Sequence, residues 1–149
     1  MAVQSVLHCC VNVPDLDEAL VFFRDLLGFE VTSTGVCEES QIGPLLRMQD
    51  TEVPVAIVSC PDGTEIEVLE FRSPKGKTVD KRRFEDVGIS VLTLIVDDVE
   101  ATTEVLAANG YARYGEIVPF VGPERDLMAV HVRGPGGIPF TLGEWREHA

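Results

Sequence analysis

The chain repeats itself, and that repetition limits its fold more than any other feature. The stretch VLHCCVNVPDLDEALVFFRDLLGFEV, from residue 6, has a partner in ISVLTLIVDDVEATTEVLAANGYAR, from residue 89. Each is a strand-like run, an aspartate, a segment of helical periodicity and then a glycine. Asp15 with Glu18, and Asp97 with Glu100, fit acidic helix starts. Leu16, Leu20, Phe23 and Leu27 fall at helical spacing, and Gly28 and Gly110 read as left-handed stops. Later, VAIVSCPDGTEIEVLEF matches AVHVRGPGGIPFTLGEW, setting Pro61 on Pro135 and Gly63 on Gly137. Both read as two strands joined by a tight turn.

The two halves therefore share a strand–helix–three-strand plan. One such unit leaves a sheet face uncovered, and two units side by side can curve together and cover it. The expected class is α+β: two tandem βαβββ modules forming an open, cup-like mixed β-sheet with flanking helices. The expected division is residues 1–71, a linker at 72–86, and residues 87–149, in one compact domain.

Composition narrows the partners. The 149 residues carry 12 basic against 25 acidic side chains, a net charge of −13. Such a surface repels phosphate backbones, which argues against nucleic acid. No apolar run approaches the roughly 20 residues that cross a bilayer. The start MAVQSVLHCC lacks the basic and apolar regions of a signal peptide, so the expectation is a cytoplasmic protein with no membrane partner. Cys9, Cys10, Cys37 and Cys60 show no CxxC spacing and read as reduced thiols. All the lysines lie in RSPKGKTVDKRR, a solvated linker or a clamp for an anionic group.

His8 poses the functional question, because it interrupts an apolar strand-like run, SVLHCCVNV. It is either a core histidine with a hydrogen-bond partner or part of a polar site. Period-two alternation puts His8, Cys10 and Asn12 on one face, assigned to a cavity, and Leu7, Cys9 and Val11 on the other, assigned to packing under helices. In TEIEVLEF the same alternation separates Glu65 and Glu67 from Ile66 and Val68. That charged face is either solvent-facing or cavity-lining. Elsewhere, VGPERDLMAV at 121–130 reads as a loop at the cavity mouth, and CEESQIGPLLRMQD at 37–50 carries Leu45, Leu46 and Met48 to a pocket or subunit contact. Trp145 reads as core or interface packing.

The doubled plan, with His8 on the first strand and IEVLEF after PDG, resembles the vicinal oxygen chelate superfamily of glyoxalases, epimerases, extradiol dioxygenases and bleomycin-binding proteins. IEVLEFRSPKG and FEDVGISVLTLIVDD look most like its glyoxalase and methylmalonyl-CoA epimerase branch. That resemblance implies a divalent metal at four strand positions. Here they carry His8, Glu67, Val91 and Thr141. Neither a valine nor a neutral threonine replaces an imidazole or a carboxylate. The cofactor is thus either a divalent metal on His8 and Glu67 or, as the missing ligands favour, none.

By resemblance, Glu67 is the base that takes a proton next to a carbonyl, and His8 stabilises the oxyanion or acts as acid. The reaction expected is that of an isomerase, epimerase or lyase on a small metabolite. Asn12, Cys10, Val91, Thr141, His131 and Arg125 are the candidate substrate contacts. The alternative is a protein that sequesters a small molecule without chemistry, as the bleomycin-binding members do. A homodimer is what the resemblance implies for quaternary structure.

Overall fold

A computed structural model of the chain describes residues 2–77 and 83–148. Lys81 and Arg82 of the basic stretch lie outside the described residues. The chain divides into two compact units, Met1–Thr78 and Val79–Ala149. Among the described residues no helix is long and apolar enough to cross a membrane.

In the first unit β1 is Cys9–Val13, α1 Leu16–Leu20, β2 Glu30–Cys37, α2 Glu39–Leu46, β3 Val53–Ser59 and β4 Glu65–Glu70. The sheet order is β1-β4-β3-β2, with β1 parallel to β4 and the remaining pairs antiparallel. The second unit holds β5 Leu92–Ile95, α3 Val99–Ala108, β6 Arg113–Phe120, β7 Arg125–Arg133 and β8 Pro139–Glu147. Its order, β5-β8-β7-β6, and its strand directions repeat the first. Two tandem βαβββ modules with open four-stranded sheets are therefore present, and α2 is an addition within the first.

Helix starts come from local chemistry. Pro14 cannot donate to a ladder, and Asp15 turns the chain by accepting the Glu18 N–H at 2.9 Å. In the second unit the cap is Asp98, accepting the Ala101 N–H at 2.8 Å, not the expected Asp97. The reason lies one step inward: Val99, 0% exposed, must occupy the first helical position to enter the core, as Leu16 does.

Each first helical N–H then meets a glutamate from its own sheet. Leu16 N donates to Glu70 at 3.0 Å, and Val99 N to Glu144 at 3.0 Å. Those glutamates are gripped by Arg72 (2.9 Å) and Arg146 (2.6 Å). The Glu-x-Arg pattern in EFR and EWR is a further repeat between the two halves.

α1 continues into a π-helical segment, Val21–Leu26. One residue more separates Asp15 from Gly28 than Asp98 from Gly110, and the wider turn takes up the extra residue. It also rotates the buried face. Leu16, Ala19, Phe22 and Phe23 are buried, while Leu20 and Leu27 of the expected stripe are only half-buried. Phe23 packs edge-on against both Phe22 and Phe29, at centroid distances of 5.2 and 5.5 Å.

Beneath the helix lie Ala56, Val58, Ile66 and Val68. Val99, Leu106, Val130, Val132, Phe140 and Leu142 form the matching core of the second unit. Each large side chain so buried contributes about 1.5–3 kcal/mol. This apolar face fixes which side of each sheet stays open.

Leu7 and Cys9 do not pack under helices: Leu7 is 77% exposed and Cys9 is exposed. The first strand starts only at Cys9 and pairs with β4 on one side alone, so Leu7 precedes the ladder that would bury it. The expected loop at 121–130 is mostly strand, since β7 begins at Arg125 and only residues 121–124 turn. Trp145 is 43% exposed, which excludes it from the core.

Candidate functional site

Strand parity carries the site. Ile66 and Val68 of β4 go under the helix, so Glu65, Glu67 and Leu69 face the open side. Glu67 lies in register with Cys10 of β1 and Ile57 of β3. His8 sits two residues before Cys10, just ahead of the ladder, and so reaches the same face. Its Nε2 is 3.4 Å from Glu67 Oε2, and both side chains are 23% exposed. The Cys10 thiol donates to the same oxygen at 3.0 Å. Ligand-type atoms of His8, Cys10 and Glu67 all lie within 4.8 Å of one another.

Loss of solvation, then the hydrogen bond to the Glu67 carboxylate and that carboxylate's charge, push the Cys10 thiol up to about 11. It is a proton donor at neutral pH, not a nucleophile. Cys37, at the end of β2, is also raised, first by desolvation and then by the charge of Glu67. Nothing in the sequence pattern linked Cys37 to Glu67, because the strand pairing that relates them is non-local. Asn12 is exposed on the same face as Cys10, one pair of residues further along β1, in register with Leu69.

The matching row in the second unit is Thr93, Thr141, His131 and Tyr114 across β5, β8, β7 and β6. Thr141 Oγ1 is 2.9 Å from His131 Nδ1. Phe84, from the stretch assigned to a linker, stacks on His131 at 4.2 Å and on Tyr114 at 5.1 Å. The Arg133 guanidinium lies 5.1 and 5.2 Å from the Phe84 and Tyr114 rings. An aromatic at 84 within an otherwise polar run was the available signal for this cluster.

Val91 precedes β5 and offers only hydrocarbon. Arg125 does not join His131 and Thr141. It sits at the other end of β7, about 20 Å along the strand, with its guanidinium 4.1 Å over Trp145 and 3.9 Å from Glu147. Two arginines on either side of the undescribed stretch are already paired, Arg72 with Glu70 and Glu52, and Arg83 with Glu85 and Asp86.

The four-position metal shell implied by the resemblance does not fit these residues. Only the first unit's two positions carry strong donors, Val91 has none, and the Thr141 hydroxyl is engaged by His131. No chemical step below passes through that shell.

The fold is a duplicated βαβββ module, the first copy of which bears a histidine just before its first strand and a glutamate on its fourth. Residues 5–142 match the Glyoxalase/Bleomycin resistance protein/Dioxygenase superfamily, and the chain belongs to that family. A 2-epi-5-epi-valiolone epimerase from an Actinomyces species is 29% identical over 109 residues, covering 70% of this chain. The chain spans 58% of the length of that relative.

Among solved structures, a glyoxalase family protein from Bacillus cereus superposes with a TM-score of 0.82 at 24% identity, covering 97% of this chain and 98% of its own. The trypanothione-dependent glyoxalase I of Leishmania major gives 0.63 at 16% identity, covering 95% and 87%. Those two likenesses show the fold.

Proposed function

We propose that the protein is an isomerase of the epimerase type, moving a proton at a carbon next to the carbonyl of a small metabolite. The observation that carries this reading is the carboxylate of Glu67, held by Cys10 and close to His8 on an open sheet face. Glu67 takes the C–H proton, and the carbonyl oxygen gains the negative charge of an enolate. The His8 imidazole, in its N–H form, donates to that oxygen. Delivery of a proton from solvent water to the opposite face of the carbon, with collapse of the enolate and release of the Glu67 proton to solvent, completes an epimerisation; return of the Glu67 proton to the same face regenerates the substrate. The acidic surface favours neutral or cationic substrates over anionic ones. The 29% relative, named as an epimerase of 2-epi-5-epi-valiolone, makes that compound the first substrate to test.

The experiment is incubation in D2O with that ketone and related carbonyl compounds, following deuterium entry by NMR. Glu67→Gln is expected to cut exchange by about 10²–10⁴-fold, the usual contribution of a positioned general base. Exchange unaffected by that substitution removes Glu67 from the mechanism. Tight binding of a compound recovered without exchange by the wild type favours sequestration instead.

A further inference from the structure

We propose that Tyr114 and His131 form a flat platform for the planar ring of an aromatic acid, and that Phe84 occupies this platform as an intramolecular stand-in. Arg133, at the rim of the stack, is the group that meets the acid. The inference concerns the second unit alone and does not rest on the proton transfer proposed above.

The way the rings meet is the first support. Rings in the core pack edge-on, Phe22 against Phe23 at 86° and Phe23 against Phe29 at 76°, and all three are buried. Phe84 lies nearly flat instead, 26° from the His131 plane and 27° from that of Tyr114. One ring thus covers two, yet Tyr114 is still 54% exposed and His131 is exposed. Offset stacking and edge-on contact are both favourable between rings. Only the flat arrangement presents a face that another planar ring can take over.

Rigidity is the second. Tyr114 and His131 stand in register on β6 and β7. From β8, Thr141 Oγ1 holds His131 Nδ1 at 2.9 Å and so orients the imidazole. The matching row of the first unit, Cys10, Glu67, Ile57 and Ser33, carries no ring, so the platform is not a by-product of the repeat.

The cover is held less firmly than the platform. Phe84 belongs to no helix or strand, and its turn closes on itself. The Arg83 N–H donates to Asp86 Oδ2 at 2.8 Å and the Asp86 N–H to the Arg83 carbonyl at 3.1 Å. The Arg83 guanidinium pairs with Glu85 and Asp86. Lifting Phe84 therefore breaks ring contacts but leaves the strand ladders intact, the kind of local opening that needs no wider unfolding.

Charge selects the ligand class. The Arg133 guanidinium lies 5.1 and 5.2 Å from the Phe84 and Tyr114 rings and donates to the Gly137 carbonyl at 3.1 Å. A ring stacked where Phe84 now lies brings a carboxylate on its edge to that fork. The net charge of −13 does not forbid this, because salt screens distant charges while a contacting cation acts in full.

The probe is 2-naphthoate, a planar ring with one carboxylate, titrated into the full chain and followed by fluorescence anisotropy. Saturable binding is expected in wild type. With the platform uncovered in about 10% of molecules or fewer, Phe84→Ala should bind about tenfold tighter or more. Adding His131→Ala should weaken that binding again. Adding Arg133→Gln should weaken it about tenfold while leaving the neutral analogue 2-naphthalenemethanol unaffected.

Because Phe84→Ala also opens a hole, the wild-type cover is watched directly. The 19F resonance of 4-fluorophenylalanine placed at position 84 should move as 2-naphthoate saturates. No saturable binding in wild type overturns the inference, as does a 19F signal that stays still at saturation. Equal affinities of wild type and Phe84→Ala overturn it too, and so does tight binding retained in Phe84→Ala/His131→Ala with native circular dichroism.

Discussion

Substituting Glu67→Gln should hasten the reaction of Cys10 with a neutral disulfide, although the thiol itself is untouched. The thiol stands at about 11 instead of 9.0 through desolvation first, then the Glu67 hydrogen bond and charge. Cys10 is exposed as a residue, so water screens part of these effects. The carboxylate 3.0 Å from the sulfur is the contribution that the substitution removes.

At pH 8 a thiol titrating near 9 is about 10% thiolate, and one titrating near 11 is about 0.1% thiolate. If loss of the carboxylate lowers the thiol by about one pH unit, thiolate rises about tenfold. The less basic sulfur attacks more slowly, with a Brønsted slope of about 0.4–0.5, so the net acceleration is roughly three- to fourfold.

The assay is stopped-flow reaction with dithiodipyridine, a neutral reagent, in a Cys9→Ser/Cys37→Ser/Cys60→Ser background that leaves only Cys10. A rate–pH profile should place the thiol lower in Glu67→Gln than in its parent. Glu70→Gln alters a carboxylate on the opposite face of β4 and should leave the rate unchanged. Equal profiles with and without the Glu67 carboxylate, or a parent thiol titrating near 9, would refute the reasoning.

Three further outcomes concern the scaffold and the reaction. Asp98→Ala should cost about 1 kcal/mol in chemical denaturation and Asp97→Ala almost nothing, because only Asp98 caps α3. Glu70 and Glu144 are held below the ordinary carboxylate range, chiefly by Arg72 and Arg146. The folded chain thus binds their protons less readily than the unfolded one. The stability they supply is complete above the ordinary value of 4.5 and drains as pH falls through their lowered folded-state values. Thermal midpoints should drop on acidification below about pH 4.5, less steeply in Glu70→Gln/Glu144→Gln than in wild type. The exchange loss expected for Glu67→Gln completes the set.

Much of the architecture was legible because it depends on local, repeated chemistry. Pro61 and Gly63 matched on Pro135 and Gly137 do mark equivalent hairpins, and Gly63 and Gly137 both adopt positive φ, at 87° and 75°. Aspartate before each helix was also readable, though not which of two adjacent aspartates. That choice depends on Val99 entering the core, a tertiary demand that outweighs the local pattern. The wall of α1 was misread because a π turn has no 3.6-residue period, and one extra residue passed unnoticed between Asp15 and Gly28.

Of the candidate site, His8, Cys10 and Glu67 were reachable by strand parity once β1 and β4 were paired. Arg125 was not separable from His131, since a loop assignment conceals distance that a nine-residue strand makes plain. Phe84 escaped because its partners, Tyr114 and His131, lie far along the sequence.

The Glu70–Arg72 and Glu144–Arg146 clasps bear on how such a chain can change over generations. Each ties its helix to its own sheet from the side away from the open face, so neither half borrows the other's exposed side chains for its anchoring. The uncovered surfaces are thereby released to drift apart. One carries an ionisable trio and the other a sheaf of rings, while the same fastening stands in both.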